Sequence, residues 1–466
     1  MNRYPVISSP AVAATAATAL PRAATTPPGP RGHWLYGQLR EYRRDRLGFL
    51  ESLKAEYGPL ASYRLGHHPF VVVSEPAVIE EVLVTRNRQF GKFYITAMLR
   101  EVFGDGLLTS EGDAWRQRRR MIQPTFATAQ LAAAAPAMVR QTVDHVAAWQ
   151  PGDERDLLAE MQRLTMAIAA ETLLGLHLPA DIAAIHEPHD LIRAEFDRRV
   201  ESVWTAPRWL PTPRNLRMAS AQRQIRGLVD RLIAERRRSN HSGPDVLSSL
   251  LVAGGEPGQR LTDEQIRNES LTFLFAGHET TASALAWAFY LLATHPAVEA
   301  QLHRELDEVL AGRMPTAGDY PRLKFTENIF RETLRLYPSA YGIGRQAQSE
   351  CELGGFRIPR GTNVVLSQWL THRDGRFFER PNEFDPSRWA PEFQKQLPHC
   401  AYFPFGVGPR VCVGNHFAML EGTLVIATIA SRYRLQIVPG QTIVPHPSVT
   451  LRPSPTVRLV CEPRWR

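Results

Sequence analysis

The feature that most constrains this chain is an apolar helical pattern that opens at Thr262 and runs without proline to His295-Pro296. Thr262-x-x-Gln265 has the form of a capping box, in which each side chain satisfies a backbone N–H at the helix start. At about 1.5 Å per residue such a helix spans roughly 48 Å, enough to cross the whole body of a domain. Everything else must wrap around that rod. Its middle is anomalous, because Ala276-Gly277-His278-Glu279-Thr280-Thr281 sets a glycine, an acid and two hydroxyls in an apolar interior. Either the cluster weakens the helical ladder and opens a groove, or the Thr hydroxyls bond back to their own helix carbonyls.

Elsewhere helical signals dominate. From about Asp113 to Leu251 apolar residues recur at helical spacing, broken at Pro151-Gly152, Leu178-Pro179 and Ala206 to Pro213. A further helix is expected around Glu327 to Leu336 and a last one from Asn415 to Ala430, followed by two C-terminal strands. Leu60 to Leu65 and Pro69 to Ser74 read as a hairpin about Gly66-His67-His68, leading into a short helix from Pro76. Other β-rich pieces lie at Glu352 to Ile358 and Asn363 to Leu366. Residues 1–26, rich in Ala, Thr and Ser, read as a disordered tail and not as a signal peptide. Residues 27–466 are expected to form a single domain, with no repeat or linker.

Hydrophobic residues make up 44% of the 466, which supports a sizeable core. No run approaches about 18 apolar residues, so no membrane span is expected. Lys and Arg number 55 against 47 Asp and Glu, a net charge of +8. Only Lys54, Lys92, Lys324 and Lys395 are lysines, a skew that reads as bacterial codon bias and not as a nucleic-acid footprint. The four cysteines are too scattered for a disulfide framework or a zinc site, which fits a cytoplasmic protein.

One cysteine stands apart. Phe405-Gly406-Val407-Gly408-Pro409-Arg410-Val411-Cys412-Val413-Gly414 places Cys412 in a glycine-dense loop just before a helical pattern. Backbone N–H groups and the helix N-terminus would stabilise a thiolate there, although a buried structural cysteine is the commoner outcome for a bare cysteine. The pattern F-x-x-G-x-R-x-C-x-G, filled by Phe405, Gly408, Arg410, Cys412 and Gly414, resembles the haem-ligating signature of the cytochrome P450 family. The resemblance implies a mainly α fold with small β-sheets, the haem lying between the long central helix and the Cys-loop helix. It makes Cys412 the axial thiolate of the haem iron. Gly408 and Gly414 would let the loop approach the macrocycle, and Arg410 would pair with a propionate.

Three further motifs resemble the family in the same order. Ala276-Gly277-x-Glu279-Thr280 matches its A-G-x-E-T pattern, in which Gly277 leaves room for O₂ while Glu279 and Thr280 relay protons through water. Glu332-x-x-Arg335 matches its E-x-x-R pair, completed by Arg388 into a structural triad. Trp115-x-x-x-Arg119 matches its W-x-x-x-R helix, with Trp115 and Arg119 reaching a propionate, and Arg345 takes the place of a third propionate-binding Arg. Arg116, Arg118 and Arg120 read equally as a solvated face or as part of a basic surface for an acidic electron donor.

The resemblance therefore implies a haem-thiolate monooxygenase that uses haem b (iron protoporphyrin IX), O₂ and NAD(P)H-derived electrons. Those electrons would come from a separate ferredoxin or flavodoxin with its reductase. No nucleic acid is expected to bind, and a monomer is expected. Pocket candidates are Phe93, Tyr94, Met98, Phe273, Ala276, Ala340, Tyr341 and Ile343, whose apolar character favours a terpenoid or fatty acid, as in secondary metabolism. A peroxide-driven peroxygenase or isomerase, or a non-catalytic haem sensor, are the alternative readings.

Overall fold

The computed structural model describes residues 25–93, 95–176, 179–201, 207, 209–239, 243, 245–252 and 260–464. The expected N-terminal tail thus falls almost wholly outside the described residues, as does Tyr94.

The long helix runs from Asp263 to Thr294, 32 residues. Thr262 accepts from the Gln265 N–H at 3.2 Å, and Gln265 accepts from the Thr262 N–H at 2.9 Å, so the capping box forms in both directions. Pro296, which cannot extend the ladder, instead occupies the first turn of the next helix, Pro296–Leu310. Because protein surrounds the rod, its residues are buried on nearly every face. Leu157–Leu174 lies along it, with Thr128–Val146 and the Cys-loop helix Asn415–Arg432 behind. Among the described residues no helix is long and apolar enough to cross a membrane.

The hairpin forms as expected, Leu60–Leu65 pairing antiparallel with His68–Val73. His68–Val73 also pairs in parallel with Asn363–Leu366, which pairs antiparallel with Ile343–Ala347. The short strand Phe90–Gly91 closes this five-stranded sheet. The β-rich stretch from Glu352 is a separate small hairpin, Cys351–Leu353 with Phe356–Ile358. Four strands, not two, follow the last helix: Tyr433–Ile437, Val444–Pro447, Leu451–Ser454 and Arg458–Pro463. Prolines 445, 447, 453 and 455 interrupt the alternation that would mark the middle pair in sequence. That pair is tied to the rod, where the Trp287 indole N–H donates to the Leu451 carbonyl at 3.0 Å.

Candidate active site

Two places in this interior are open where a packed core would be closed. Cys412 is exposed, yet burial by surrounding protein pushes its thiol up. Both hold if the sulfur faces a cavity inside the body and not bulk water. Ala276 is exposed in the middle of a helix whose residues are mostly buried, and Thr280, one turn on, is half-buried. One ring joins the two openings. Phe126 packs on Phe273, with ring centroids 5.7 Å apart, and meets Phe417 of the Cys-loop helix at 6.3 Å. A Cβ added at Gly414 would meet the same ring at 3.6 Å. The long helix and the Cys loop therefore flank the same space.

The loop is held by its own backbone, with the Cys412 N–H donating to the Phe405 carbonyl at 2.9 Å. The Gly414 N–H and the Arg119 charge oppose the rise in the Cys412 thiol, favouring thiolate. Arg119 also donates to the Val411 carbonyl at 2.7 Å. Gly408 is required by the backbone and its packing as well. Its φ is +74° and a Cβ there would lie 2.2 Å from the Leu83 carbonyl oxygen, so it serves packing against the turn Glu81–Thr85.

Beside the loop lies an excess of positive charge. Burial pulls Arg345 down to about 10, with Arg410 adding to the effect. Burial, then Arg410 and Arg345, pulls Lys92 down to about 7, with Glu111 opposing. Arg410 stacks 4.4 Å over the Trp115 ring and donates to the Ser110 carbonyl at 3.1 Å. Three cations thus crowd a partly buried space where Glu111 is the carboxylate that acts on them. A ligand bearing carboxylates would relieve that repulsion, so the residues fit a haem with its two propionates. Lys92 was missed in sequence, where only its rarity among the basic residues could have marked it.

Arg118 corrects the expectation of a solvated face. It is 6% exposed, reaching Glu269 at 3.5 Å and the Asp105 carbonyl. Arg116 is exposed and paired with Asp113, and Arg120 is exposed.

On the long helix, the Thr280 hydroxyl donates to the Ala276 carbonyl at 2.7 Å, the back-bonded alternative. Its oxygen can still accept from water. Glu279 is buried and turned aside, meeting Thr450 at 3.3 Å, Gln162 at 3.4 Å and Arg193 at 3.9 Å. A Cβ added at Gly277 would meet Leu173 Cδ1 at 3.2 Å, so its lack of a side chain also eases helix packing.

The triad assembles fully. Arg335 grips Glu332 at 2.8 and 2.9 Å, and Arg388 reaches the same carboxylate at 2.9 Å. The Trp389 indole, unremarked in sequence, adds a bond at 2.9 Å.

Pocket candidates divide. Ala340 is exposed, and Phe93, Met98 and Ile343 are half-buried, while Phe273 is 7% exposed and packed in the core. Phe93 lies over Gly344, where a Cβ would come within 2.3 Å of its ring. The Tyr341 hydroxyl is engaged, accepting from Arg46 at 2.7 Å and donating to the Ser448 carbonyl at 2.9 Å. A surface cleft of about 970 Å³ includes Met98, Arg46 and Trp369 in its lining but neither Cys412 nor Thr280.

Residues 27–460 match the family model Cytochrome P450. The chain is 39% identical over 444 residues to cyclooctat-9-en-7-ol 5-monooxygenase of Streptomyces melanosporofaciens, covering 94% of this chain and 96% of that protein. It is 35% identical to pentalenene oxygenase of Streptomyces avermitilis, covering 88% and 91%. The heme domain of cytochrome P450DA superposes with a TM-score of 0.87 at 27% identity, over 95% of this chain and 99% of that one. The family implies haem, O₂, reducing equivalents from a redox partner and a lipophilic substrate. The chain belongs to the cytochrome P450 family and is a monooxygenase.

Proposed function

We propose that this chain is a haem b monooxygenase acting on a lipophilic terpenoid hydrocarbon or alcohol, with electrons from a separate ferredoxin or flavodoxin and its NAD(P)H reductase. Residues 27–466 would work as one catalytic domain, as a monomer in the cytoplasm. The observation that carries the chemistry is a thiol at Cys412 that is deep in the protein yet open, beside three cations that face one carboxylate, Glu111. The substrate class rests on similarity to enzymes named for cyclooctat-9-en-7-ol and pentalenene.

Haem, when bound, supplies O₂ activation and transfer of one oxygen atom to substrate, the other leaving as water. The chain's own residues do the rest. The Cys412 thiolate is stabilised by the Gly414 N–H and Arg119. Arg410, Arg345 and Lys92 would hold carboxylates, with the Trp115 ring fixing the Arg410 plane. Ala276, Ala340, Ile343, Phe93 and Met98 offer apolar wall that orients the substrate and excludes water. Glu279 would pass protons inward through water that the back-bonded Thr280 hydroxyl positions.

The first test is the carbon monoxide difference spectrum of the reduced protein. A strongly red-shifted Soret band is expected; a band at the position of histidine-ligated haem would overturn the role of Cys412. Spectral titration should show cyclic terpene alcohols shifting the haem spectrum where sugars do not, and a response to polar ligands alone would remove the substrate class. Thr280→Ala should lower product formed per NADPH several-fold, and an unchanged yield would sink the proton role.

A further inference from the structure

Between the long helix and Pro179–Glu201 lies a polar seam that the site above leaves unexplained. His189 is 1% exposed; its Nδ1 faces Asp190, and its Nε2 is buried without a hydrogen-bond partner among the described residues. Buried polar groups are nearly always satisfied, so such a ring implies a water or an ion. Its place is fixed by packing, with Phe275 at 4.4 Å and His278 edge-on at 4.7 Å between ring centroids.

The surroundings connect in two directions. Inward, one ligand atom from each of His189, His278 and Glu279 lies within 4.8 Å of the others. Polar atoms gathered this closely can share one bridging water. Outward, Asp190 Oδ1 stands 3.5 Å from His189 Nδ1, and the Asp190 side chain is 57% exposed. A buried ring therefore sits between a solvent-facing carboxylate and the acid of the active site.

We propose that Asp190 and His189 are the proton inlet of this enzyme, carrying protons from solvent to Glu279 through a bridging water. The inference rests on the monooxygenase reading and supplies the route by which its acid is recharged. Asp190 collects a proton from solvent and passes it to Nδ1 of His189. The proton on the other ring nitrogen leaves through water to the Glu279 carboxylate, and tautomer exchange resets the ring. One proton moves inward, and only N–H and O–H bonds change.

The neighbours suit this role. His278 is fixed by the Thr165 hydroxyl, hydrogen-bonded to its Nδ1 at 2.8 Å, and burial holds it well below the usual range, hence neutral. It forms a wall and does not trap the proton. Arg193 lies 3.8 Å from Asp190 and 3.9 Å from Glu279, drawing both carboxylates toward the seam. Two histidines and a carboxylate are also a zinc-type donor set, but the Arg193 charge opposes a dication there.

His189→Phe in the holoenzyme tests the route while keeping a ring against Phe275. Product per NADPH should fall several-fold and the solvent deuterium isotope effect should rise. Turnover driven by hydrogen peroxide, which brings its own protons, should be unchanged. Asp190→Asn, a surface change, should shift both readouts the same way by less. A high-resolution crystal structure of the unmodified protein should place an ordered water between His189 and Glu279. Equal losses with NADPH and peroxide would assign His189 to packing and overturn the inlet. So would no loss in either variant, or a dry or metal-filled gap. An unmodified enzyme inactive in both assays would overturn the monooxygenase reading itself.

Discussion

Glu332 and Glu279 are both buried carboxylates on helices, and they use their oxygens in opposite ways. Glu332 accepts from Arg335, Arg388, the Trp389 indole and the Asp385 N–H at distances from 2.8 to 3.2 Å. Glu279 has longer contacts, at 3.3, 3.4 and 3.9 Å. A saturated carboxylate has no lone pair left for a proton or a water, and moving it means breaking several charge-assisted bonds at once. An under-satisfied one can exchange partners at small cost. The first arrangement locks the fold beside the Cys loop, and the second leaves an acid free to work.

The comparison can be broken at several points. Glu332→Ala should have the largest effect, costing about 3–5 kcal/mol because two buried guanidinium groups lose their counter-charge. Thermal denaturation with retained haem content checks it, and a melting temperature near that of the unmodified protein would make the network ornamental. Glu269 tests a carboxylate between the two extremes. Burial raises it from 4.5 to about 7 despite the Leu107 N–H and the Arg118 charge. Its folded-state value exceeds the unfolded one, so its contribution is full below about 4.5 and is lost as pH rises through about 7. Glu269→Gln should flatten that decline, with denaturant unfolding at pH 5 and pH 8 as the readout; parallel profiles for the two proteins would contradict it. The smallest effect is expected for Gly277→Ala, within about 1 kcal/mol, since helix propensity gains what the flexible end of Leu173 must yield. A large loss of stability there would show that the two helices are packed more rigidly than the contact implies.

What the sequence disclosed follows from how local each signal is. The capping box at Thr262 and the Glu332–Arg335 pair lie within one helical turn, so spacing alone determines their geometry. Cys412 was legible because its loop is contiguous. Lys92 was not, because its cationic neighbours Arg345 and Arg410 lie hundreds of positions away and meet it only after folding. Arg118 reads as solvated among its arginine neighbours, since nothing nearby in sequence announces Glu269. The partial satisfaction of Glu279 is equally invisible, because its contacts come from Gln162, Arg193 and Thr450 on three other elements. Short-range pattern gives motif and cap; the balance of satisfied and unsatisfied groups exists only in three dimensions.

Ala276 and Ala340 are small residues at exposed positions. Neither belongs to the locked network around Glu332, so enlarging them draws little on folding stability. Walls of this kind can drift under mutation while the frame stays fixed. A chain built this way is well suited to acquiring new substrates by laboratory evolution, with cavity shape changed at Ala276 and Ala340 before any stabilising substitution is needed.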